Sequence, residues 1–275
     1  MTDGQIQSPN RGPLDADRLA DGLYFVPDLS LELLPEADST NAVAADRARA
    51  GAPEGLVVVA DHQVAGRGRL DRTWETPAGT AVTFSLVLRP TVPAASWPWL
   101  PLLAGHNVAK ALTSMGYDAR VKWPNDVLLD DQKVAGILVE RVETPEGPVA
   151  IVGVGINVGL AADELPVPTA TSLALAATPD TRVPGRVEVL LQVLPMVKEA
   201  YDIWQAGGEQ ATERLASSYC SRCATLRRDV RVELPGGGQL TGTAVDVDAD
   251  GRLVVEADGR TERVGAGDVV HVRPA

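Results

Sequence analysis

Cysteine, histidine, lysine and aromatic residues are all scarce in this 275-residue chain: two Cys, three His, four Lys, and 4% Phe, Trp and Tyr together. So few cysteines exclude a disulfide-stapled secreted scaffold, and at 28.9 kDa the chain can bury a core without staples or structural metals. His62, His106 and His271 are scattered, so a closed four-ligand zinc site lacks clustered partners and no metal site built by the protein itself is expected. Cys220 and Cys223 form a lone C-x-x-C. A redox pair would sit at a helix start after a strand, whereas residues 217–222 read as a junction, so incidental reduced cysteines are expected. Positive charge is also short, 25 basic against 37 acidic residues for a net charge of -12, which opposes long-range association with DNA, RNA or an anionic membrane but leaves room for a local basic site. No stretch approaches the roughly 20 uninterrupted apolar residues of a membrane span, and residues 1–21 lack the features of a signal peptide. A soluble cytoplasmic protein with no membrane partner is therefore expected.

What is present is an ordinary globular composition, 45% hydrophobic and 23% charged, with 26 Gly and 20 Pro marking many turns. Residues 1–21, rich in Gly, Pro, Asp and Asn, read as a flexible leader. A main domain over residues 22–222 opens with a short amphipathic stretch and a turn at residues 35–38. Ser39 or Thr40 can cap a helix that Gly51 ends. Residues 56–60 read as a compact strand, and residues 82–88 as a strand whose Val82, Phe84, Leu86 and Leu88 share a core face. Residues 99–112 read as a buried helix, 134–142 and 149–158 as two further strands, and 187–215 as helix interrupted near Pro195 and Gly207. From residue 223 to 275 the pattern changes to five short strands between glycine turns, which predicts a small closed barrel.

Three segments carry candidate chemistry. In the first, Gln63 is followed by Gly66, Arg67, Gly68, Arg69, Arg72 and Trp74. The glycines allow close backbone approach to an anion, and arginine forks suit carboxylate and phosphate oxygens; a surface turn is the alternative. The second runs Lys122-Trp123-Pro124-Asn125-Asp126 and resumes at Lys133, Gly136 and Glu140, placing two of the four lysines beside a rigid turn. Lys133 opens an apolar strand, so its ammonium can emerge at the strand edge. Gly136 leaves room for a substrate. Asp126 either supports the loop through backbone amides or stands near a metal or substrate. The third, Gly153-Val154-Gly155-Ile156-Asn157, gives up side-chain packing inside a strand, for tight packing or for a ligand passing closely. The phosphate loop G-x-x-x-x-G-K-[ST] is missing from the first and third of these segments, so ATP chemistry would need another architecture.

Taken in order, Ser39-Thr40-Asn41, G-R-G-R, K-W-P-N-D, K-x-A-G-I-L-x-E and G-x-G-I-N resemble the biotin protein ligase family over nearly the whole folded chain. The resemblance implies an α/β (α+β) catalytic domain similar to class II aminoacyl-tRNA synthetases, a mixed sheet backed by helices, followed by a small all-β SH3-like barrel. It implies ATP and biotin as substrates with Mg²⁺ on the triphosphate, formation of biotinyl-5'-AMP, and transfer to a lysine of a biotin carboxyl carrier domain of acetyl-CoA carboxylase or a related carboxylase. By the same resemblance Ser39, Thr40, Asn41, Gln63, Arg67, Gly68, Arg69, Lys133, Gly136 and Gly155 bind biotin. Arg69, Arg72, Trp74, Lys122, Asn125, Lys133 and Asn157 serve ATP or the adenylate, and Lys133, Arg69 and Arg67 are catalytic. The family often has glycine where Asp71 stands, which bears on the phosphate geometry of the loop. Some relatives carry an amino-terminal DNA-binding winged helix, for which there is no room here, so no DNA partner is expected; the assembly is expected to be a monomer or homodimer. The competing readings are lipoate attachment and a noncatalytic biotin-binding module.

Overall fold

The computed structural model describes residues 11–70, 72–235 and 237–272. The first ten residues of the expected leader, Asp71 with its effect on the loop, and Gly236 of a predicted turn lie outside them. In chain order the elements are α1 (Ala16–Leu23), β1 (Ser30–Ala37), α2 (Thr40–Arg49), β2 (Leu56–Gln63), β3 (Gly66–Arg67), β4 (Thr73–Trp74), β5 (Ala81–Leu88) and α3 (Trp99–Ser114). They continue with β6 (Ala119–Lys122), β7 (Asp126–Leu129), β8 (Gln132–Val142), β9 (Val149–Asn157), α4 (Leu173–Ala176) and α5 (Arg186–Arg222). The chain closes with β10 (Asp229–Glu233), β11 (Gln239–Val247), β12 (Leu253–Ala257), β13 (Arg260–Val264) and β14 (Asp268–His271).

Seven strands form one sheet in the order β1-β2-β5-β9-β8-β7-β6. Only β1 and β2 run parallel; the remaining neighbours are antiparallel, so the sheet is mixed. Its central strands β5 and β9 are buried along their whole length, because helices cover both faces. On one face Val57, Val59, Val82, Phe84, Leu86, Leu88, Val152, Val154 and Ile156 pack with α3 and α5. On the other, Leu56, Val58, Val87, Val149 and Ile151 meet Ala44, Ala45 and Ala48 of α2. The period-2 alternation of each strand therefore sorts its residues between two cores. Short α2 covers only part of its face: its first turn reaches Ser85 and Gly153, and Thr83 and Gly155 lie next along the same face.

Four expectations need correction. Residues 11–21 are not a loose tether: Asp15 caps α1 by accepting from the Arg18 amide, and Leu14, Leu19 and Leu23 are buried. The residues read as a turn around Pro35 lie in β1, an edge strand with one neighbour, where a proline's missing amide hydrogen is tolerated. The long helix leaves helical geometry at Gly208 (φ 56, ψ -142), a backbone that glycine adopts cheaply, whereas Pro195 is carried inside it. Residues 217–222 are the last turns of α5 rather than a junction.

Beyond α5 the five strands form one antiparallel sheet in the order β13-β12-β11-β10-β14. Val230, Val232, Leu253, Val255 and Val269 join the same hydrophobic cluster as the α3 and α5 side of the larger sheet. Two indoles fasten the join: Trp99 Nε1 donates to the Ala249 carbonyl (2.7 Å) and Trp123 Nε1 to that of Gly251 (3.0 Å).

Candidate active site

The strip of this face beside the start of α2 forms the floor of a cavity of about 120 Å³. Register builds that floor. Gly155 pairs with Thr83 on β5 and Gly136 on β8, while Gly153 pairs with Ser85 and Leu138, so two cross-strand rows carry glycine at their centres. A methyl group at Gly153 would lie 2.1 Å from Asn41 Oδ1, and one at Gly155 would lie 2.5 Å from Trp74 Cε2. The glycines are therefore set by side chains that cross above the strand.

At one end the walls are neutral and polar. Gln63 Oε1 accepts from the Thr40 amide (2.9 Å) and hydroxyl (3.2 Å), so the start of α2 is satisfied from β2; Ser39 holds the cap position without a side-chain bond. The Ser85 hydroxyl lies 2.8 Å from Thr40 Oγ1 and 2.6 Å from Asn41 Oδ1. Asn41 Nδ2 donates to Glu140 Oε2 (2.6 Å), which also takes Arg67 Nη2 at 3.1 Å. Thr40, Asn41, Gln63 and Ser85 of this network are buried, and the Arg67–Glu140 pair closes it at the surface.

At the other end the groups are charged. A bulge in the β7–β8 ladder leaves Val134 without a partner, and it turns Lys133 onto the same face as Gly136, three residues on. Strict alternation would have sent Lys133 toward the α3 core with Ile137. The Lys133 ammonium instead lies 2.6 Å from Asp126 Oδ1 and 5.6 Å from the centre of the Trp74 ring. Lys122 stands 3.8 Å from Asp126 Oδ2. Arg69 Nη1 donates to Asn125 Oδ1 (3.2 Å), and burial pulls its pKa below the ordinary arginine value. Arg72 is hydrogen-bonded to Asp268 of the carboxyl-terminal sheet, which raises its pKa.

Strands β3 and β4 pair as a short hairpin over the cavity, with Gly66 opposite Trp74 and Arg67 opposite Thr73. The Gly68 amide closes it by donating to the Arg72 carbonyl (2.7 Å), so that amide does not face an anion. The Trp74 indole reaches across the glycine floor, and its Nε1 is buried without a partner.

Of the residues singled out from sequence, Ser39, Thr40, Asn41, Gln63, Arg67, Gly68 and Arg69 line the cavity. So do Arg72, Trp74, Asn125, Asp126, Lys133, Gly136 and Gly155. Lys122 and Asn157 do not. Lys122 stands behind Asp126, and Asn157 is buried with its amide donating to the Thr171 carbonyl (2.9 Å). Sequence reasoning missed Thr83, Ser85 and Asp268. The first two are the polar alternates of a strand whose other face was recognised as core, and Asp268 comes from the separate sheet; Glu140, noted in its motif, was given no partner there. Cys220 and Cys223 are free thiols pushed up by burial, Cys220 to about 11, and neither lines the cavity.

The mixed sheet thus carries one glycine-floored cavity with cations along part of its rim, an arrangement that can take a ligand with an anionic end. The profile described as the Biotin/lipoate A/B protein ligase family matches residues 33–157, and that described as Biotin protein ligase C terminal domain matches residues 226–272. The chain is 38% identical over 271 residues to the biotin--[acetyl-CoA-carboxylase] ligase of Mycobacterium tuberculosis, covering 96% of this chain and 97% of that one. Its fold is similar to the biotin protein ligase from Aquifex aeolicus in complex with biotin and ATP (TM-score 0.73, 28% identity, 89% and 99% of the two chains). It is also similar to that of Leishmania major in complex with biotinyl-5-AMP (TM-score 0.59, 25% identity, 86% and 99%). The chain belongs to the biotin protein ligase family.

Proposed function

We propose that this protein activates biotin with ATP to biotinyl-5'-AMP and transfers it to a lysine of a biotin carboxyl carrier domain, that of acetyl-CoA carboxylase first. The observation that carries this reading is the polarity of one cavity: a hydrogen-bonding end at Ser39, Thr40, Asn41 and Gln63, where the charge of Arg67 is paired with Glu140, and a cationic end at Lys133, Arg69 and Arg72. Biotin has the same polarity, a neutral ureido ring joined by an apolar chain to a carboxylate. Ring first, it sets its carboxylate beside Lys133.

The carboxylate then attacks the α-phosphorus of ATP, the new P–O bond forms, and pyrophosphate leaves with the old one. Both reactants are anions, so Lys133, Arg69 and Arg72 act by offsetting charge where it accumulates. Arg67, tied to Glu140, and Gly68 form the arch over the ring end; Trp74 on its hairpin offers an indole face to adenine. Closure of the hairpin excludes water from the anhydride. Lys122 keeps Asp126 paired when Lys133 turns to substrate. Asn157 supports the segment ending at Thr171, and its part in nucleotide binding is indirect. Mg²⁺ prefers phosphate oxygens and water with one or two carboxylates, a donor set that Asp126 and Asp268 can complete. When bound it would neutralise phosphate charge.

We place the catalytic unit at residues 22–222 and an SH3-like unit at 223–275, working in the cytoplasm as a monomer or homodimer. Among the described residues no helix is long and apolar enough to cross a membrane. Pyrophosphate release from ATP and Mg²⁺ on addition of biotin, but not of lipoate, tests the reading. Equal release with both acids contradicts it.

A further inference from the structure

Residues 11–14 run along the domain as a strap fastened at both ends. At one end Arg186, the buried first residue of α5, donates to the Gly12 carbonyl (2.6 Å) and pairs with Asp61 at 2.8 Å. The Asp61 carboxylate also accepts from the Leu14 amide (3.0 Å). At the other end Arg11 forms a two-pronged ion pair with Glu164 (2.8 and 2.7 Å) and donates to the Gly159 carbonyl (3.0 Å). A Cβ at Gly79 would stand 2.2 Å from the Arg11 carbonyl oxygen, so a glycine at φ 74 is what lets the strap lie against the chain five residues after Trp74.

What Arg11 holds is the segment that in turn holds Lys133. Gly159 and Glu164 belong to the stretch that leaves β9, and its two ends are joined, because the Ser172 hydroxyl donates to the Leu160 carbonyl (2.7 Å). At the far end the Lys133 amide donates to the Thr169 carbonyl (2.8 Å), and the Lys133 carbonyl accepts from the Thr171 amide (2.9 Å). Lys133 lies beside the bulge at Val134, where the ladder to β7 is irregular, and this clamp holds its backbone there. We infer that Arg11 is a positioning residue for adenylation: by tying residues 159–164 to the body of the domain it fixes the clamp on Lys133, and so sets where the ammonium stands against the reacting carboxylate and phosphate. The inference rests on the activity proposed above. The Arg11–Glu164 pair itself adds little to folding, since its side chains are 40% and 25% exposed. Its effect through geometry is larger, because a charged donor displaced by about 1 Å loses about 10²-fold in rate, and a looser clamp shifts Lys133 by part of that.

Arg11→Ala provides the test, read on proteins whose melts match wild type. Rapid-quench formation of biotinyl-5'-AMP at saturating ATP and biotin should be slowed about tenfold, with biotin affinity within about twofold of wild type. Arg11→Lys, which keeps the charge and loses the fork, should recover part of the rate. In a Lys133→Ala background Arg11→Ala should slow the reaction no further, since both changes remove the same contribution. Hydrogen exchange at the Lys133 and Thr171 amides should be faster in Arg11→Ala, a readout that needs no turnover. Wild-type adenylation by folded Arg11→Ala overturns the inference. So does unchanged exchange at those two amides, a slowing that multiplies in full with that of Lys133→Ala, or a biotin affinity that falls as far as the rate. Should Arg11→Ala fail to fold, Glu164→Gln decides by the same readings, because it keeps the size of the partner and removes its charge. A wild-type protein that forms no adenylate is a different result: it refutes the proposed activity itself, while amide exchange still reports whether Arg11 holds the clamp.

Discussion

Replacing Lys133 by alanine removes one ammonium from a partly exposed ion pair, Lys133 at 34% and Asp126 at 17% side-chain exposure. Pairs of that kind contribute about 1 kcal/mol or less to folding, and Lys122 remains 3.8 Å from Asp126 to hold part of its charge. The melt should therefore move by only a few degrees. The chemical step should respond far more. A single aimed donor that stabilises developing charge is worth about 10² to 10³ in rate, or about 2.7–4 kcal/mol. Biotin affinity should fall less, because the neutral network of Gln63, Thr40, Ser85 and Asn41 is untouched. Lys133→Arg should rescue poorly: the Lys133 chain already passes 3.1 Å from the Cβ position of Gly136, with Trp74 3.2 Å away, leaving little space for a planar fork. The assay is rapid-quench formation of biotinyl-5'-AMP at saturating ATP and biotin, with a biotin titration and a melt alongside. A folded Lys133→Ala protein forming adenylate at the wild-type rate would refute the role given to this lysine.

Arg69→Gly should raise the amount of biotinyl-5'-AMP found free in solution, because the hairpin loses its bond to Asn125; unchanged retention by a folded variant that still makes adenylate argues against a closing role. Gly155→Ala puts a methyl group 2.5 Å from Trp74 Cε2 and raises the floor, so calorimetry should find biotin bound about 10-fold or more weaker, as for one misplaced methylene in a pocket. Native affinity would mean that the ligand does not touch the floor. Burial with nearby cations holds His106 and His271 down to about 4, whereas an unfolded chain takes up those protons below about 6.5. Their contribution to stability is complete above about pH 6.5 and is lost as pH falls toward 4, with a slope of up to about 1.4 kcal/mol per pH unit for each. Melts between these limits should show that slope, reduced in His106→Gln; a flat profile contradicts the burial argument.

The loops with specific chemistry were legible in the sequence as an ordered set of motifs, since a single glycine-arginine run reads equally as a surface turn. Legible too were strands such as β5, whose Val82, Phe84, Leu86 and Leu88 alternate cleanly. Three features depended on pairing that one strand cannot reveal. The direction of Lys133 is set by the bulge at Val134, a property of the β7–β8 register. Short β6 and β7 were not anticipated, since four-residue strands carry too little pattern to stand apart from a turn. Asp268 reaches the cavity only because the second sheet is docked by Trp99 and Trp123. Asn157 misled for a related reason: it shares its strand face with Gly153 and Gly155, but the segment through Thr171 covers it.

The most direct measurement of the central claim is the intact mass of a biotin carboxyl carrier domain incubated with this protein, ATP, Mg²⁺ and biotin. The account predicts a gain of one biotinyl group on a single lysine, dependent on ATP and absent when biotin is replaced by lipoate. An unmodified carrier, or one modified equally well by lipoate, would contradict it.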